Sequence, residues 1–82
     1  MSWKKYANQT PSEEGQYLVV IKIMNTYFYE VCYWANNLND VDEYDFFGEE
    51  YNHSGFYKTD SEWGNLEIPF VEAWTEIEPY EG

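Results

Sequence analysis

The densest group of potential ligand side chains is the stretch Asp40-Val41-Asp42-Glu43-Tyr44-Asp45, which holds four carboxylates in six residues. Hard cations such as Ca²⁺ are bound in proteins by several oxygen atoms of this kind. If Asp40 and Asp42 are taken as the first and third positions of a calcium loop, Asp45 stands where glycine is required and Tyr51 where a bidentate glutamate is required. The spacing therefore favours a solvated acidic loop, and we predict no metal site.

The other reactive side chains form no recognisable catalytic motif. His53 and Ser54 are adjacent, but a catalytic triad needs convergence in space and a third, orienting acid. Cys32 lies among aromatic residues with no lysine nearby in sequence, which is typical of a buried, inert thiol. Glycoside hydrolysis by paired carboxylates needs a cleft that so small a sheet rarely encloses. We therefore predict that the chain is not an enzyme and uses no cofactor.

The chain is strongly acidic, with sixteen Asp and Glu against four lysines and no arginine, for a formal net charge of −12. Phosphate backbones and anionic lipid surfaces would repel it, so we predict no direct contact with nucleic acid or membrane. Seven acids lie between Lys22 and Lys58, and seven more follow Lys58. Charge of this kind can serve solubility alone, or it can form a docking surface for a basic protein.

The acidic loop and its tyrosines form the predicted partner-binding site. Carboxylates steer a basic protein toward the chain, and tyrosine rings are favoured contact anchors. Both kinds of side chain are interspersed between residues 40 and 51. The predicted contact residues are Asp40, Asp42, Glu43, Asp45, Glu49, Glu50, Tyr44 and Tyr51.

Aromatic side chains are abundant, with four Trp, nine Tyr and five Phe in 82 residues. A domain of this size cannot enclose all of these rings, so we expect some Tyr and Trp to remain exposed as contact anchors. The alternative is that most of them lie in the core or cover its edge. The rings to which this alternative applies are Trp3, Tyr17, Tyr29, Tyr33, Trp34 and Trp74.

The length allows one domain, residues 1–82, because a second core could not be built from what the first leaves over. Scaling with mass gives an expected folded surface of roughly 5,200 Å². One cysteine and one histidine exclude an internal disulfide and a zinc site of the usual His and Cys kind. No apolar stretch reaches the length of a membrane span. We expect a cytoplasmic protein.

Strand-forming residues dominate the chain. Alternation in residues 16–24 and 27–35 predicts a hairpin that turns at Asn25-Thr26, and further strands are predicted at residues 54–59 and 70–78. We predict a mainly β domain with a single antiparallel sheet of four to five strands, curled or partly barrel-like, and at most one short helical turn.

The segment of residues 40–52 stays open between two structures. Asp40 and Glu43 resemble a helix capping box, which would give one or two helical turns, and Gly48 argues against a longer helix. The alternative is a short, charged edge strand through Tyr44 to Phe47. We favour irregular structure that contains at most a helical turn.

The two ends of the chain carry a distinctive series of residues: Trp3, Pro11, residues 14–20 (EGQYLVV), Tyr33-Trp34 and residues 71–79 (VEAWTEIEP). This series resembles a family of small phage and prophage proteins of unknown function, which end near a His-Trp-Met-Pro-Leu-Pro signature. Trp74 matches that signature, but Ala73 replaces its histidine and Glu76 and Glu78 replace its prolines. The resemblance implies a small β-rich fold and a phage or mobile-element origin, and it transfers no catalytic positions.

These features favour a binding role. We expect a small phage-type accessory protein that docks on a basic host protein and occludes it, as a DNA-mimic-like inhibitor would occlude a nucleic-acid-binding surface. One alternative is a structural or self-associating β module, a homo-oligomer without an inhibitory role. A third is a module that stacks sugars on its aromatic rings.

Overall fold

A computed structural model describes residues 2–41, 49–62 and 64–78, and the strands within them form one antiparallel sheet. These strands are β1 (Lys4–Lys5), β2 (Gly15–Ile23), β3 (Thr26–Ala35), β4 (Gly55–Asp60), β5 (Gly64–Glu67) and β6 (Val71–Glu76). Their spatial order is β1-β6-β2-β3-β4-β5, so the sheet is open, with β1 and β5 at its edges. Helical structure in the described residues is confined to two 3-10 turns, Leu38–Asp40 and Glu49–Tyr51.

The prediction of a mainly β chain with a single antiparallel sheet is confirmed, and the described sheet has six strands where four to five were expected. The two additional strands are the edges, whose sequences lack the alternation that marks a half-buried strand. β1 has two residues, Lys4 and Lys5, which pair with Trp74 and Ala73 of β6. β5 has the polar sequence GNLE and returns antiparallel to β4.

The hairpin of β2 and β3 is the centre of the sheet. Its register pairs Gly15 with Trp34 at one end and Ile23 with Thr26 at the other. The turn therefore falls at Met24-Asn25, one residue earlier than predicted, and Met24 takes a left-handed backbone conformation with φ of 57°. β6 pairs with the other side of β2, so β2 is flanked on both sides.

One face of the sheet carries the hydrophobic core. Cross-strand pairs place large apolar side chains from β2, β3, β4 and β6 on this face, because directly opposed residues project to the same side. We call it the covered face; its buried residues are Tyr17, Val19, Ile21, Cys32, Trp34, Phe56 and Trp74. The N-terminal segment folds over it: the Tyr6 ring packs on Trp34 and Phe56, and Trp74 Nε1 donates to the Gln9 carbonyl oxygen at 2.8 Å.

The opposite face of the sheet is aromatic and accessible. We call it the open face and define it by Val20, Tyr27, Tyr29, Val31 and Tyr33, which the register places on one side. Val20 is buried by its neighbours, whereas Tyr27 is 51% exposed and Tyr29 is 64% exposed. The chain's accessible surface of 6100 Å² exceeds the roughly 5,200 Å² expected for its mass. A sheet with one uncovered face has more accessible surface than a domain of the same mass that is covered on both faces, which accounts for the difference.

Of the six rings named in the sequence analysis, three are buried and three are exposed. Tyr17, Trp34 and Trp74 are buried in the core, as the structural alternative required. Trp3, Tyr29 and Tyr33 are exposed, as contact anchors would be. Only the pairing of strands decides which rings fall on which face.

The outer side of β3 is largely open. β4 pairs with β3 only at Tyr33, Trp34 and Ala35, so residues 26–32 have no strand beside them on that side among the described residues. Glu30 carries the only charge in that stretch, and its carboxylate accepts a hydrogen bond from Lys58 Nζ at 2.8 Å. Unpaired strand edges are sites at which other chains can add.

Replacing Phe56 with alanine should strongly destabilise the fold. Phe56 is 1% exposed, and its ring contacts those of Tyr6, Tyr17 and Trp34, the last at a centroid distance of 4.8 Å. Emptying such a site costs about 3–5 kcal/mol of unfolding free energy, which urea denaturation followed by Trp fluorescence will measure.

Phe70→Ala is the matched control, because Phe70 is 67% exposed. It should change the unfolding free energy by less than about 1 kcal/mol. Equal losses in the two variants would contradict the assignment of the covered face as the core.

Candidate functional site

The predicted partner-binding loop lies largely outside the described residues. Asp42, Glu43, Tyr44 and Asp45 fall there, as does the side chain of Glu49. Asp40 and Glu50 are exposed, consistent with a contact role. Tyr51 is partly buried and packs against the pair Ala35 and Leu38. Its ring therefore packs beside the first 3-10 turn, to which Leu38 belongs.

The first 3-10 turn fixes the start of the acidic loop. Asn37, rather than Asp40, caps this turn: its Oδ1 accepts from the Asn39 backbone N–H at 3.0 Å, while Asp40 is the last residue of the turn. Leu38 is fully buried, and its N–H donates to the His53 carbonyl oxygen at 2.9 Å. The helical turns predicted to follow Asp40 and Glu43 fall outside the described residues; Asp40 itself is the last residue of the turn that Asn37 caps.

A pair of aromatic rings in contact lies at each end of the open face. At one end Trp3 and Tyr29 lie 6.2 Å apart, tilted by 54°. They border a cavity of about 360 Å³ that is also lined by Val20, Tyr27 and Lys5. At the other end Tyr33 and Tyr57 are stacked, with centroids 5.5 Å apart and ring planes 24° apart. The alternation of Tyr27, Tyr29 and Tyr33 in the sequence indicates that these β3 rings share one face of the sheet. The sequence has no signal for which face of the sheet remains uncovered.

Charged side chains border both ends of the open face. Lys22 lies near its hairpin end, with Nζ 5.6 Å from the centroid of the Tyr27 ring. Glu14 and Asp40 lie at the opposite end and line one cavity together with Tyr33 and Tyr57. Gln16 and Lys22 are separated by roughly 20 Å along the strand. Charges of both signs border each end, since Glu72 lines the cavity beside Tyr27 and Tyr29 and Lys58 lines a cavity beside Tyr33 and Tyr57.

Two of the four lysines form ion pairs with glutamates. Lys4 Nζ donates to Glu76 Oε2 at 2.6 Å, and this hydrogen bond lowers the pKa of Glu76. Lys58 pairs with Glu30, which raises the pKa of Lys58. The described acids come from several strands and turns. Among the described acids, Glu14 and Asp40 line one cavity with Tyr33 and Tyr57, and Glu72 lines another with Tyr27 and Tyr29.

His53 and Ser54 occupy the approach to β4. His53 Nε2 lies 2.9 Å from Glu67 Oε2 across to β5, and the Ser54 side chain is exposed. This contact ties β5 to the segment before β4. Within the described residues, no three His, Cys, Asp or Glu side chains are grouped as a metal would require.

Neither a family model, nor a curated protein, nor a solved structure matches this chain. The resemblance to small phage proteins therefore stays a prediction. In the described part of the chain, no helix has the length and apolar character needed to cross a membrane.

Cys32 is a core residue rather than a nucleophile. It is fully buried on the covered face, and burial, reinforced by Glu30 and opposed by Lys58, raises the pKa of its thiol to about 11. The thiolate is the reactive species, so the folded protein holds this sulfur in its unreactive form.

Iodoacetamide should therefore alkylate Cys32 about a hundredfold more slowly in the folded protein than in the urea-unfolded protein at about pH 8, because both the thiolate fraction and access are reduced. Mass spectrometry of timed samples measures the two rates. Rates within about threefold of each other would contradict the burial and the raised pKa.

Proposed function

We propose that this chain is a small acidic binding module that docks on a basic protein through its open face and the adjoining acidic loop. The observation that carries the proposal is the exposed aromatic surface of Trp3, Tyr27, Tyr29 and Tyr33 on a hydrogen-bonded sheet. Tyrosine and tryptophan are the side chains most enriched where proteins bind one another. A rigid strand presents them at little cost in conformational entropy.

The net charge defines the class of partner. A formal charge of −12 on a molecule 36 Å in its longest dimension compares with roughly 21 phosphate charges on the same length of duplex DNA. The order of magnitude fits a protein that occupies a surface made for nucleic acid. In this proposal the target is a basic host protein that handles nucleic acid, and the mechanism is occlusion, as expected of a phage-type inhibitor in the host cytoplasm.

Steering by this charge should make capture depend on salt. Immobilised protein should retain a basic partner from host lysate at about 50 mM salt. At about 500 mM salt the amount of partner retained should fall roughly tenfold or more, because screening shortens the reach of surface charge. Quantitative mass spectrometry of the eluates measures retention. The joint change of Asp40, Asp42, Glu43 and Asp45 to their amides should abolish it.

A control variant with the same net charge replaces Glu13, Glu62, Glu78 and Glu81 with glutamine. It should retain the partner, which distinguishes an effect of the acidic loop from an effect of net charge alone.

For the aromatic part of the surface, Tyr29→Ser should reduce retention whereas Phe70→Ser, outside the open face, should not. Unchanged capture by the loop variant would reject this site. A stable oligomer that persists in high salt would instead favour the self-associating alternative, to which the open edge of β3 would contribute.

A further inference from the structure

A cavity of about 450 Å³ lies where the open face meets the anchored 3-10 turn. Its walls come from the residue before β2, from the end of β3, from β4 and from the turn. The lining residues that matter are Glu14, Tyr33, Ala35, Asp40, Val41 and Tyr57. This site therefore combines aromatic rings, a small apolar floor and two carboxylates.

The aromatic wall is the stacked pair Tyr33 and Tyr57. The Tyr33 hydroxyl accepts a hydrogen bond from Gln16 Nε2 at 3.1 Å, which orients the ring from β2. Burial, together with the neighbouring Tyr33 and Glu14, raises the pKa of Tyr57. The raised pKa keeps the Tyr57 hydroxyl protonated, and the faces of tyrosine rings attract cations through the ring quadrupole.

The carboxylates stand at the rim of the same cavity. Glu14 Oε2 accepts from the Asn36 backbone N–H at 2.8 Å, so this carboxylate is held while its other oxygen keeps its hydrogen-bonding capacity. Asp40 is presented by the turn that Asn37 caps. Among the described residues that line the cavity, none carries a positive charge. The cavity therefore has negative charge that no lysine within it offsets.

We propose that this cavity receives an arginine side chain of the basic partner, an inference that rests on the proposed function and names its contact. A guanidinium is planar, so it can stack on a tyrosine ring, and its donors can reach the two carboxylates at the same time. Lysine has a compact, strongly hydrated ammonium that cannot stack in this way. The geometry of two carboxylates beside stacked rings selects the planar cation.

The test uses a blocked Gly-Arg-Gly peptide and, as its uncharged isostere, the same peptide with citrulline. Titration into ¹⁵N-labelled full-length protein should give saturable shifts of the Asn36, Tyr33 and Tyr57 amide resonances with the arginine peptide. The citrulline peptide should bind at least roughly fivefold more weakly, because it lacks the charge that pairs with Glu14 and Asp40.

Variants locate the effect within the cavity. Glu14→Gln and Asp40→Asn should each weaken arginine-peptide binding by roughly two- to fivefold, the range of exposed ion pairs, and Tyr33→Leu should weaken it further by removing a ring face. Glu62→Gln, in the turn between β4 and β5, is the matched control and should leave the affinity unchanged. Retention of the dispersed amide spectrum verifies that each variant is folded.

Equal binding of the two peptides, or full affinity in the Glu14→Gln, Asp40→Asn double variant, would overturn the arginine site. Those results would leave salt-dependent capture of a basic partner standing. Conversely, loss of that capture from wild-type protein would count against the proposed function whatever the peptides do. The two failures are therefore distinguishable.

Discussion

The covering of one sheet face by the N-terminal segment is the contact on which the rest of the structure depends. Trp74 Nε1 is bonded to the Gln9 carbonyl, the Tyr17 hydroxyl donates to the Glu13 carbonyl at 2.7 Å, and the Tyr6 N–H donates to the Glu72 carbonyl at 3.1 Å. Each bond satisfies a polar group at the border of the core. On the opposite face, Tyr27, Tyr29 and Tyr33 remain exposed.

That asymmetry links stability to function. The covered face buries Trp34, Phe56 and Trp74 and supplies the core, so the rings of the open face are not needed there. Exposed apolar side chains gathered on one face are a recognised mark of an interaction site. Glu14 and Asp40 place two carboxylates beside the stacked tyrosines at one end of this surface.

Much of the fold could be predicted from the sequence because alternation and turn residues are local signals. The β2–β3 hairpin, β4 and β6 follow from that pattern, whereas β1 and β5 are short and exist only through pairing with Trp74 and with residues 57–60. The site was harder to predict. Asp40 was identified from composition, but Glu14, Tyr33 and Tyr57 are brought beside it by strand register, which a single sequence does not encode in any short motif.

The claim that one face of the sheet is uncovered is tested most directly by solvent paramagnetic relaxation with a neutral gadolinium chelate. Ring protons of Tyr27 and Tyr29 should be strongly attenuated, and those of Tyr17, Trp34 and Trp74 should be protected, in proportion to their exposure. Protection of Tyr27 and Tyr29 equal to that of Tyr17 would mean that something covers this face in solution, and it would contradict the account.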